Sequence, residues 1–262
     1  YISAINLMAK DKSYDSWCNG ITSLDEFDKD VCLKKVEEAA NNIKLELDLE
    51  KSVADADLVI ESMSEVFEAK KELFIKLAPL LPSKTILVTN SSTMLPSRLA
   101  KYTGREEKFL ALHFANSIWK NNIAEVMKQS KTKEEYFNII LKFAKDIKML
   151  PLPVRKEKSG YLLNSMLIPF LFSALDLVVN EISDPASIDT AWTIGTGAPE
   201  GPFKILDTVG LKTAYDIVEM YVKIPSFLAP YNFKGMHKLL KQYIDEGKLG
   251  VASGEGFYKY EK

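Results

Sequence analysis

Along the first part of the chain, short apolar blocks alternate with longer stretches in which apolar residues recur every three or four positions. "SLDEFDKDVCLKKVEEAANNI", from Ser23, has a Ser cap, early acids and helical spacing, which predicts an amphipathic helix. "KLELDL", from Lys44, alternates and predicts a short strand. Asp57 then precedes the continuous run Leu58, Val59, Ile60, the pattern of a strand buried on both faces. "EVFEAKKELFIKLAPLL" predicts a helix stopped by Pro82, and "KTILVTNSS" a second buried strand ending in a polar loop. "LPSRLAKYT" comes next as a short helix and "KFLALHF" as a third buried strand. "KTKEEYFNIILKFAKDIKM" and "LPLPV" complete the series as helix and strand. This alternation predicts parallel βαβ units, with binding groups gathered at the carboxyl ends of the strands.

After Lys158 the pattern changes. "GYLLNSMLIPFLFSALDLVVNEI" is helical in spacing and apolar almost all round, which predicts a buried helix, and the rest of the chain is helical in pattern with glycine and proline turns. The expected organisation is therefore an α/β domain over 1–157 and an all-α domain over 158–262.

Composition narrows the function. The 34 basic and 36 acidic residues are well mixed and leave a net charge of −2, so no single-sign field invites nucleic acid or an acidic membrane surface. Two cysteines without a CxxC argue against a zinc site or a disulfide framework, and no metal is expected. No apolar run reaches the roughly 18 to 20 residues of a membrane span, and no stretch has the look of a secretory leader. The expected location is cytoplasmic.

Candidate chemistry sits at predicted strand ends. Ser91, Ser92 and Thr93 come after "TILV", where hydroxyls either cap the next helix or reach a substrate oxygen. His113 ends "KFLALHF"; a neutral imidazole there could take a proton from an alcohol as hydride leaves the adjacent carbon, or could be a structural histidine. Glu125 stands between apolar neighbours in "IAEVM", where an acid needs a partner, and an acceptor on the second ring nitrogen is what such a base requires. Asn164, in the apolar helix, needs partners from local backbone or from a ligand. His237 lies in a charged helical stretch and reads as a surface residue. "GTGAPEGPF" mimics a phosphate loop, but it comes after a helix and contains two prolines, so it reads as a helix-to-helix turn.

Taken together, "ADADLVIESMSE", "TNSSTMLPSRLA", "LHFAN" with "AEVM", "GYLLNSMLIPFL", "IDTAWTIGTGAPEGPFKILDTVGL" and "GKLGVASGEGFYKY" resemble, in order and spacing, the L-3-hydroxyacyl-CoA dehydrogenase family, which includes 3-hydroxybutyryl-CoA dehydrogenase. The resemblance runs from about Asp48 to the end. It implies a Rossmann-type NAD-binding domain, then a helical domain that forms a homodimer interface, with an acyl-CoA substrate between the two. By position His113 matches the family's base, Glu125 the carboxylate that orients it, and Ser92 and Asn164 the residues that hold the substrate oxygen. Glu65, Lys70, Asn90 and Asn116 match positions lining the cofactor or CoA cleft. The implied reaction is hydride transfer between NAD and C3 of a (3S)-3-hydroxyacyl-CoA, with other 3-hydroxy acids, or binding without catalysis, as alternatives. Three departures stand out: Ser117 where the family usually has proline, Ser165 where it often has arginine, and no GxGxxG strand with its acidic ribose reader. The last leads to the expectation of an N-terminal βαβ segment ahead of the residues given, without which NAD binding would be gravely weakened.

Overall fold

The computed structural model describes residues 26–116, 118 and 121–260. Ser23, the expected start of the first helix, and Ser117 lie outside them. The chain divides into two compact units, Tyr1–Leu162 and Leu163–Lys262.

In the first unit, helix α1 (Lys29–Asn42) begins at Asp28, whose Oδ1 accepts the backbone N–H groups of Asp30 and Val31 at 3.0 and 2.9 Å. After it come α2 (Leu49–Val53), β1 (Leu58–Glu61), α3 (Phe67–Leu77), β2 (Ile86–Thr89), α4 (Pro96–Ala100), β3 (Phe109–Phe114), β4 (Ile123–Met127), α5 (Glu134–Asp146) and β5 (Leu150–Val154). The five strands form one sheet in the order β1-β2-β3-β4-β5. Phe137, Ile140 and Ala144 of α5 pack on the face that carries Val88, Leu110, Leu112 and Val126. Phe74, Leu77 and Leu99 pack on the other face with Leu87 and Phe109. Both faces of β2 and β3 are covered, which is why those two strands read as continuous apolar runs.

Two expectations need correction. Residues 43–48 form no strand: Ile43, Leu45 and Leu47 are 64%, 94% and 102% exposed. Alternation alone makes no strand without a ladder partner, and none faces this segment among the described residues. The sheet is also not wholly parallel. β1, β2 and β3 run parallel, but β4 returns antiparallel to β3, because the connection between them is too short for a crossover. β5 then runs parallel to β4.

The second unit is helical: α6 (Leu163–Val179), α7 (Pro185–Thr196), α8 (Pro202–Val209), α9 (Leu211–Glu219) and α10 (Phe233–Asp245). Its core gathers Phe172, Leu175, Phe203, Leu206, Val218, Phe233 and Leu240. α6 is buried on one side only, since Met166 and Leu177 are exposed. The "GTGAPEG" stretch joins α7 to α8, with Gly197 ending α7 at a φ of 74°. His237 is half-buried against the ring of Tyr215, 4.4 Å between centroids, rather than free at the surface. Among the described residues no helix is long and apolar enough to cross a membrane, and no group of three metal-ligating side chains occurs.

Candidate active site

The antiparallel return of β4 builds the centre of the site. It sets Glu125 directly across from His113 in register, so both side chains leave the same face of the sheet. His113 Nδ1 lies 3.0 Å from Glu125 Oε2, with the histidine 6% and the glutamate 1% exposed. A carboxylate only accepts, so Nδ1 carries a ring proton, and in the neutral imidazole the lone pair is then on Nε2. Glu125 Oε1 accepts the backbone N–H of Leu162 at 2.8 Å, which fixes the acid in turn. The ring of Tyr161 stacks on the imidazole, with centroids 4.7 Å apart and planes 25° apart.

A second cluster ties the ends of β1 and β2 together beside this pair. Glu61, at the end of β1, receives Lys70 Nζ at 2.7 Å and Thr89 Oγ1 at 2.6 Å. Both members of the ion pair are buried, at 3% and 1% exposure. Lys70 also donates to the Met63 carbonyl and lies 3.4 Å from Glu65 Oε2. Glu65 accepts the Ser91 hydroxyl, along with the N–H and hydroxyl of Thr93. Burial pushes the Glu65 carboxyl up, but the bonds from Ser91 and Thr93 and the charge of Lys70 together outweigh it and hold it below the usual glutamate value. Asn90 continues the edge: its N–H donates to the Glu61 carbonyl at 2.8 Å, and its Oδ1 accepts the Phe114 N–H at 3.0 Å.

The residues expected from sequence therefore fall into two groups and two single positions. His113 and Glu125 meet as a bonded pair. Glu65, Lys70, Asn90 and Ser92 gather on the loops at the carboxyl ends of β1 and β2, with Ser92 half-buried between Ser91 and Thr93. Asn116 is exposed beyond β3, where its carbonyl accepts Asn121 Nδ2 at 3.1 Å. Asn164 is carried by the first turn of α6, in the second unit. The buried amine of Lys70 is engaged by Glu61 and Glu65, so its direct work is to brace the two loops. Sequence reasoning missed Glu61 and Tyr161. Glu61 carried a signal, an acid closing an apolar strand with a lysine nine positions on, whereas the tyrosine's partners are remote in sequence.

Comparison with known proteins matches both parts of the chain to one family. Residues 8–158 match the family described as 3-hydroxyacyl-CoA dehydrogenase, NAD binding domain, and residues 160–260 match its C-terminal domain. The human mitochondrial hydroxyacyl-coenzyme A dehydrogenase is 32% identical over 86% of this chain and 71% of its own. A probable 3-hydroxybutyryl-CoA dehydrogenase of Bacillus subtilis is 30% identical over 87% of this chain and 77% of its own. Among solved structures, a diketoreductase described by its substrate-directed dual catalysis of dicarbonyl compounds is 43% identical, with a TM-score of 0.84, over 99% of this chain and 84% of its own. Glu65, Asn90 and Ser92 line the described edge with polar side chains near the His113 imidazole, a lining that fits a polar cofactor such as NAD. No glycine-rich turn joins a strand to a helix among the described residues, so the edge offers no such backbone cradle for the pyrophosphate. Two consecutive family matches spanning nearly the whole chain and a histidine braced by a buried acid lead to one conclusion: the chain belongs to the 3-hydroxyacyl-CoA dehydrogenase family and is an NAD-dependent oxidoreductase.

Proposed function

We propose that this enzyme interconverts a (3S)-3-hydroxyacyl-CoA and the corresponding 3-oxoacyl-CoA. The single observation that carries the chemistry is the His113–Glu125 pair, a buried imidazole whose Nδ1 is held at 3.0 Å by an acid. In oxidation, Nε2 of His113 takes the proton of the C3 hydroxyl, and Glu125 stabilises the imidazolium that forms. NAD, when bound, supplies the hydride acceptor. In reduction His113 returns the proton to the carbonyl oxygen. Ser92 donates to that oxygen from the loop after β2, and Asn164 contributes a second donor from α6. Asn90, Glu65 and Lys70 shape the edge that receives the cofactor, and Asn116, exposed beyond β3, is a further lining residue of the cofactor or CoA cleft. The acyl-CoA assignment draws on the family match across both halves of the chain and on the names of the relatives.

A second reading, reduction of a small dicarbonyl compound without a CoA carrier, is favoured by the 43% identity to the diketoreductase. Both readings share a carbonyl at the same reactive carbon. NADH consumption with acetoacetyl-CoA, set beside a free 3-oxo ester and a 1,3-diketone, separates them. A kcat/KM at least tenfold higher for the thioester supports the first, a reversed preference the second, and no turnover of any of the three overturns both.

The exposed apolar residues Met166, Ile182, Trp192 and Ile194 of the helical unit support a homodimer as its working form. A monomer mass by light scattering at micromolar concentration contradicts that. A cytoplasmic location is also our proposal, drawn from two cysteines that form no CxxC, and fractionation of the native cells tests it.

A further inference from the structure

The segment 157–162 runs as a strap between the loop after β2 and the end of β4. On one side, Glu157 Oε1 accepts the Ser97 N–H at 2.7 Å, Ser159 Oγ reaches the Thr93 carbonyl at 3.4 Å, and the Tyr161 hydroxyl donates to the Ser91 carbonyl at 2.6 Å. On the other, the Lys158 N–H meets Met127 Sδ at 3.3 Å and the Leu162 N–H donates to Glu125. Tyr161, at the centre, is 1% exposed and has a φ of 52°, a left-handed conformation that is strained for an aromatic residue. Strain of this kind persists only where the surroundings enforce it. Here it lays the phenol flat on His113 and, one residue on, aims an N–H at Glu125.

From this geometry we infer that Tyr161 is a positioning residue for the reaction. Its rigid ring sets the plane of the His113 imidazole and, through its hydroxyl, spaces that plane from the loop carrying Ser92. The inference rests on the reading of His113 as the base. One hydrogen bond at Nδ1 leaves the imidazole free to tilt about that bond, and tilting swings the Nε2 lone pair away from a substrate oxygen. A stacked ring removes that freedom, and the bond to Ser91 ties the same ring to the residue preceding Ser92. The phenol takes no proton itself. Burial, and then the carboxylates of Glu65, Glu125, Glu157 and Glu61, push its ionisation well above the ordinary tyrosine value, so the hydroxyl stays a donor. Such a device acts on the geometry of proton transfer, so it shows in turnover more than in substrate affinity.

The test compares Tyr161→Phe and Tyr161→Leu with wild type in full-length protein, using NADH and whichever 3-oxo compound the enzyme turns over best. Tyr161→Leu is expected to lower kcat about tenfold to a hundredfold, the scale of a small misplacement of reacting groups, with KM within about threefold. Tyr161→Phe keeps the stack and is expected to recover kcat to within about fivefold of wild type. A leucine variant as active as wild type, a phenylalanine variant no better than leucine, or losses confined to KM would each overturn the inference. The chain has only two histidines, so proton NMR of the ring signals gives an independent reading, with His113 assigned by its loss in His113→Ala. The stacked ring should move the His113 signals upfield in wild type and in Tyr161→Phe, and their absence there overturns the inference even if the leucine variant does not fold. Activity of His113→Ala separates the two levels. If it equals wild type, the reading of the base fails; if it collapses while both Tyr161 variants stay intact, only the positioning role does.

Discussion

Both units bury acids, and they use them differently. In the helical unit, Asp207 Oδ1 accepts the Phe257 N–H at 2.9 Å, while Oδ2 accepts the Tyr258 N–H at 3.0 Å and the Tyr260 hydroxyl at 2.8 Å. Asp189 accepts the N–H groups of Phe203 and Lys204 at the start of α8, and also the Tyr258 hydroxyl. A side chain at Gly256 would run into Asp207 Oδ1 at 2.0 Å, and one at Gly201 into Asp189 Cγ at 2.3 Å, which explains the glycines of "EGPF" and "GEGFYKY". These donors are amides and phenols. Burial, then the bonds and charge of the two aspartates, hold Tyr258 and Tyr260 well above the ordinary tyrosine range. Neither phenol gives up its proton near neutral pH. In the sheet unit, Glu125 is equally buried, but one of its two described donors is an imidazole. On the proposed reading, what separates a structural acid from one that serves chemistry is whether its partner can gain and lose a proton.

That contrast can be broken at either end. The largest effect is expected from Glu125→Gln. An amide facing Nδ1 favours the wrong tautomer, so kcat should fall about 10² to 10⁴ while the melting temperature moves little. Steady-state rates beside a thermal melt check this, and a variant that loses stability but not specific activity would place Glu125 with the structural acids. Asp207→Ala is the converse. It strands two backbone N–H groups and a phenol, each costing about 1–3 kcal/mol when buried without a partner, so denaturant unfolding should show a loss of about 3 kcal/mol or more. The smallest effect concerns Glu65, whose carboxyl is held below its ordinary value. Its contribution to stability is complete above about 4.5 and is lost as pH falls through the depressed value, so Glu65→Gln should flatten the acid limb of melting temperature against pH.

Much of this was legible from residue order. The apolar blocks became β1, β2, β3 and β5, and those of β2 and β3 are continuous because both of their faces are buried. His113 and Glu125 stood out because an acid between Ala124 and Val126 demands a partner. Their facing register was not legible: the connection from 115 to 122 is too short for a crossover helix and so signals that the chain turns back, but it does not say which residues then face each other. "KLELDL" misled because alternation reports a pleat, and a pleat needs a neighbouring strand. Lys70 was read toward the cleft, although its amine serves a buried pair whose acid lies on another element. Tyr161 escaped notice because its meaning lies in contacts with Ser91 and His113, which only the fold brings near.

The most direct measurement is the turnover number of purified His113→Ala with NADH and the best 3-oxo substrate, taken beside its melting temperature. A fall of about 10² to 10⁴ in kcat with the fold intact is the predicted result. Turnover equal to wild type in a folded variant would contradict the account, because no other described imidazole stands braced by a buried acid at the end of that sheet.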